Sequence, residues 1–157
     1  MSGWKLLLLG LFGLVVKAVL AMVPPVAGLA DPLLVIAVFA ALPGRRWTAL
    51  WVGVVTGLLD DALFGQWLGL HAFSHMTIAF SLALIAARMD MVQPFPALFA
   101  LAGAALADWG IQVGLAVLFN RSADAVPGFW IWTGAVLINT LLGVLFFRLV
   151  ARRGTLS

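Results

Sequence analysis

The sequence predicts an all-α polytopic membrane protein, one bundle of six transmembrane helices whose second helix is short. Three observations carry this. Apolar residues make up 64% of the 157 residues and charged residues only 10%, with a mean hydropathy of +1.16; soluble proteins average about 25% charged. Nearly every residue lies in an apolar run or a short connection, which leaves no room for a soluble domain. Basic residues are distributed asymmetrically among the connections, as the positive-inside rule requires of a multi-pass protein. The net charge of +3 therefore reads as membrane orientation and not as nucleic-acid binding.

The first helix is expected over residues 4–23, about the 20 residues that a bilayer demands, with Lys17 well inside it. No small-residue cleavage site follows it, so it is read as a retained helix and not a removed signal. Pro24-Pro25 ends it. Asp31-Pro32 then has the form of a helix start, with Asp as N-cap and Pro in the first turn. The second helix, 32–42, is too short to span alone. Either residues 26–30 extend it irregularly, sheltered by protein, or it penetrates only part of the membrane. Pro43-Gly44-Arg45-Arg46 is a sharp basic turn into the third helix, 47–64. The fourth, 70–87, closes on Arg88-Met89-Asp90, and the fifth, 95–119, is long enough to tilt. Residues 120–127 form the one clearly polar loop before the last helix, 128–150. Trp4, Trp47, Trp67, Trp130 and Trp132 sit near helix ends, as an aromatic belt would. With both termini inside, Lys5, Arg45, Arg46, Arg88, Arg148, Arg152 and Arg153 are cytoplasmic and only Arg121 is outside.

The third helix organises the rest. Gly53, Gly57, Asp61 and Gly65 recur every four residues and share one slowly spiralling stripe. Small residues at this spacing let a neighbouring helix approach to backbone contact, and an acid on the same stripe should face protein or water, never lipid. Asp60 lies beside it, about 100° around the helix.

Counting along the helices places Lys17, Asp60, Asp61, His71 and His75 in one outer half of the bundle. Three readings stay open for them: a metal site on His71, His75 and an aspartate; a proton or solute path; or a structural lock, with Lys17 paired to Asp60 or Asp61, which we favour because bundles use polar pairs as glue. Asp108 and Asn139, near the middle of the fifth and sixth helices, suggest a hydrogen bond between adjacent helices. Catalysis is poorly supported. There is no cysteine, no HExxH, no nucleophile elbow and no phosphate-binding loop. Ser74, Thr77 and Ser81 are expected to bond back to their own helix. No cofactor is expected.

The order of these features resembles the rod shape-determining protein MreD family. The matching residues are Asp31-Pro32-Leu33-Leu34, Leu42-Pro43-Gly44-Arg45-Arg46, the stripe Gly53-xxx-Gly57-xxx-Asp61-xxx-Gly65, Leu68-Gly69-Leu70, and further on Asp108 and Asn139. Asp60 is an acid additional to that pattern, and Lys17 and His75 have no counterpart role in it. The resemblance implies a non-enzymatic component of the bacterial elongation machinery in the inner membrane, with a bundle like the S components of energy-coupling-factor transporters. Its implied partner is MreC, within a complex linking MreB, RodA and a penicillin-binding transpeptidase. The alternative is a small-solute-binding transport subunit with an outward-facing pocket among Trp67, His71, His75, Asp60 and Asp61.

Overall fold

A computed structural model describes residues 3–23, 29–64, 68–89, 91, 93–119 and 129–151. These form six helices and no strand: α1 (Gly3–Ala21), α2 (Pro32–Ala41), α3 (Arg46–Leu63), α4 (Leu70–Ala86), α5 (Pro94–Leu118) and α6 (Phe129–Ala151). Pro24-Pro25, Gly65, Trp67 and the 120–127 loop lie outside the described residues.

The short second helix is the centre of the bundle. Every residue of α2 is buried, and all five other helices pack against it. Its composition permits this, since PLLVIAVFAA is apolar on every side and can be enclosed without burying a polar side chain. At ten residues it spans only about 15 Å. Leu29 and Ala30 are not helical, so no regular extension precedes Asp31. Asp31 caps the helix as its sequence suggests. One carboxylate oxygen accepts from the N–H groups of Leu33 and Leu34, both at 3.1 Å, and Pro32 occupies the first helical position.

Around α2 the helices are fitted by size. Alanines 79 and 83 of α4 and 97, 100 and 104 of α5 bring those helices close, and Phe39 packs against Phe146 of α6 with ring centroids 4.9 Å apart. The α3–α4 hairpin is tighter still. A Cβ at Gly53 would lie 2.7 Å from the His75 carbonyl oxygen, and one at Gly57 would overlap backbone atoms of His71 and Ala72. Gly53 and Gly57 of the stripe therefore meet the backbone of α4, inside the chain's own bundle. At the other end of the hairpin, the α2–α3 turn at Gly44 (φ +72°) sits against Ala87, which brings Arg45 and Arg46 to the same end as Arg88.

The distribution of polarity is inverted relative to a soluble domain. Asp60, Asp61, Ser74 and His75 are buried, while Phe95 (78% exposed), Phe99 (72%) and Leu141 (68%) face outwards. Apolar surface on this scale marks contact with lipid or protein. Among the described residues one helix, α5, is by itself long and apolar enough to cross a membrane.

Candidate functional site

Five of the six helices contribute to a polar interior at one end of the bundle, and Asp31 is its hub. Beyond capping α2, its side chain lies 3.4 Å from Lys17 Nζ of α1 and accepts at 3.1 Å from His75 Nε2 of α4. Its backbone N–H donates at 2.6 Å to Asn139 Oδ1 of α6, whose amide nitrogen donates to the Leu29 carbonyl at 3.2 Å. One residue thus ties α1, α2, α4 and α6 together. Its helix-starting role is visible in the sequence; its other three partners are not.

Lys17 also pairs with Asp60 of α3, and its ammonium lies 5.6 Å from the centre of the Phe64 ring. Of the two aspartates open to Lys17 in the sequence reading, Asp60 is the one chosen. Asp61 has a different task. It reaches across the α3–α4 turn and accepts from the N–H groups of Gly69 (2.8 Å), His71 (3.0 Å) and Ala72 (3.1 Å), and from His71 Nδ1 (2.9 Å). These are the orphan donors of the first turn of α4. Its N-cap, Gly69, is left-handed (φ +103°) and has no side chain to satisfy them. The carboxylate of α3 does so instead, with its charge at the positive end of the α4 dipole.

Asp108 and Asn139 do not pair as expected. Asp108 accepts from Ser74 of α4 and, at 2.7 Å, from Gln112 one turn along α5, while Asn139 is committed to Asp31 and Leu29. Ser74 likewise departs from expectation, bonding across to α5. Thr77 and Thr56 do bond back, to Phe73 at 2.7 Å and Val52 at 2.8 Å. Depth along a helix is readable from sequence, but the rotation that selects a partner is not.

These polar groups border a cavity of about 320 Å³, lined by Lys17, Asp31, Asp60, His71, Asp108 and Asn139 among others. It shares Asp60 and His71 with the pocket anticipated from sequence but not Asp61 or His75, and Trp67 lies outside the described residues. A metal reading finds Asp31, Asp60 and His75 close enough to share an ion. Their chemistry is against it. Lys17 already supplies the cation to both carboxylates, and His75 Nε2 is spent as a donor to Asp31. His71 Nδ1 is spent on Asp61 in the same way.

A helical bundle with buried carboxylates and an apolar exterior defines the class, an integral membrane protein of helical type. Within that class the family model for the rod shape-determining protein MreD matches residues 2–152, and the chain belongs to this family of membrane proteins, which acts in rod shape determination and is not known for enzymes. Comparisons with the curated proteins and with the solved structures give no match.

Proposed function

We propose that this chain is a non-enzymatic scaffold of the bacterial cell-elongation complex, crossing the inner membrane several times with both termini in the cytoplasm. It binds MreC and, through the wider complex with MreB, RodA and a penicillin-binding transpeptidase, helps direct lateral peptidoglycan synthesis. The observation that carries this reading is the family match along residues 2–152. The interior chemistry supports it. Each ionisable group at depth holds one helix to another or caps one. The gathering of Arg45, Arg46 and Arg88 at one end supports the orientation. The same reading expects an experimental structure of the chain to superpose on energy-coupling-factor S components.

The test is recovery from native membranes. Tagged chain should bring down MreC, and its depletion should round the cells until the gene is restored. Depletion that leaves cells rod-shaped, or membranes that yield no MreC, would remove the proposal. A second reading, a solute-binding transport subunit, is favoured by one observation, the polar cavity. It requires uptake of a solute that stops when the chain is removed.

A further inference from the structure

The cavity contains one buried acceptor that the lock leaves unused. Asp60 is 1% exposed and borders the cavity, and among the described residues its Oδ2 receives no hydrogen bond. His71 Nε2 lies 4.0 Å from it, beyond hydrogen-bond reach. That nitrogen cannot help. The Asp61 carboxylate can only accept, so the 2.9 Å contact holds a ring proton on Nδ1 and commits the ring to Asp61. A buried acceptor without a donor is costly, and the charge balance points the same way. Asp31, Asp60 and Asp108 line the cavity against a single lysine. A surplus of negative charge at membrane depth calls for a cation.

We infer that this cavity binds a primary ammonium group, which donates to Asp60 Oδ2 while its alkyl chain lies against Leu29, Phe64 and Ile131. A primary ammonium has three N–H donors and one positive charge, matching the unused acceptor and the surplus carboxylates. Water would supply the donors without the charge, and a metal ion would supply the charge where Lys17 already stands. The volume is at the small end of ligand sites, so the occupant is compact. The ammonium can belong to a free amine or to a lipid headgroup such as phosphatidylethanolamine. The inference does not depend on the scaffold reading, because it rests on the cavity alone.

The experiment is thermal unfolding of the full chain in lipid nanodiscs with n-propylammonium chloride, beside tetramethylammonium chloride and sodium chloride at equal ionic strength. Propylammonium should raise Tm saturably by several degrees, and the two salts without N–H donors should not. Asp60→Asn removes the charge but leaves Asp31 as counter-ion for Lys17, and Ala135→Phe fills the cavity without touching a charge. Both should lose the rise. Discs of phosphatidylethanolamine with phosphatidylglycerol distinguish the sources from discs of phosphatidylcholine with phosphatidylglycerol. A headgroup ligand makes the first discs more stabilising and insensitive to added amine, and a free amine raises Tm equally in both. If one variant does not fold, the other and the wild-type comparison of propylammonium with tetramethylammonium still decide. No saturable rise combined with equal stability in the two lipids, an equal rise with tetramethylammonium, or a rise retained in a folded variant would overturn the proposal.

Discussion

Replacing Gly57 by alanine adds one methyl group, and the bundle has no place for it. The new Cβ would overlap Ala72 Cα and N and the His71 carbonyl oxygen, all of them backbone. Backbone cannot rotate aside as a side chain can, so α4 itself must move. One turn earlier, at Gly53, the same substitution would meet the His75 carbonyl oxygen at 2.7 Å and Met76 Cα at 2.8 Å, where ordinary contact is 3.4–4 Å. Overpacking costs ~1–3 kcal/mol, and this case belongs at the upper end. Moving α4 also stretches the cap that Asp61 makes to Gly69, His71 and Ala72, at ~1 kcal/mol for each bond weakened. Alanine returns ~1 kcal/mol through its better helix propensity. The net loss is ~2–4 kcal/mol, which lowers Tm by ~5–15 °C for a chain of this size.

The measurement is a melting curve of the purified protein in detergent, followed by the fraction remaining monodisperse. Gly110→Ala is the control, because a Cβ there meets nothing within 4 Å. It gains the helix propensity without the collision and should melt at or above wild type. A Gly57→Ala protein that melts as high as Gly110→Ala would refute the reasoning, since propensity alone would then account for both.

Three further outcomes are expected. Asp61→Asn should melt closer to wild type than Asp61→Leu, because an amide oxygen still accepts from the first turn of α4 whereas leucine leaves its N–H groups unpaired at ~1–3 kcal/mol each; equal melting of the two would count against the capping role. Lys17→Met should cost ~3–5 kcal/mol by leaving Asp60 buried without its cation, and the double variant Lys17→Met/Asp60→Asn should recover part of that loss; a double variant no more stable than the single would show that the pair is not coupled. Single cysteines placed at Ser2, Ser122 and Ser157 of this cysteine-free chain should react with an impermeant thiol reagent in intact cells only at position 122, and labelling at 157 but not 122 would reverse the orientation.

The parts of the fold legible in the sequence were those fixed by one-dimensional spacing. Asp31-Pro32 reads as a helix start because capping and the N1 preference for proline are local, and the structure places both there. Gly53 and Gly57 read as a close approach because helical periodicity puts them on one face, although which helix approaches them is not written locally. The pairings Ser74–Asp108 and Asn139–Asp31 were not accessible, since each depends on the rotation of two helices about their axes.

The concentration of polar bonds on Asp31 follows from the solvent rather than from the chemistry of any one residue. In lipid the outward apolar faces gain nothing by turning inward, so burial of Leu or Phe does little to choose between helix arrangements. Direction must come from groups that lipid cannot satisfy. Helix α1 shows the consequence. Many of its apolar side chains, Leu11, Phe12, Val15 and Val19 among them, face outwards. Its register against the bundle is set by Gly13 meeting Ile36 and by Lys17 reaching Asp31 and Asp60. A slip of one helical turn would move Lys17 by about 5.4 Å, out of reach of both carboxylates, and leave Lys17 and Asp60 without their ion pair at depth. The polar hub is therefore what makes one packing of these helices far better than its neighbours, and the same requirement explains why Asp60 Oδ2, the acceptor that it leaves unused, stands out.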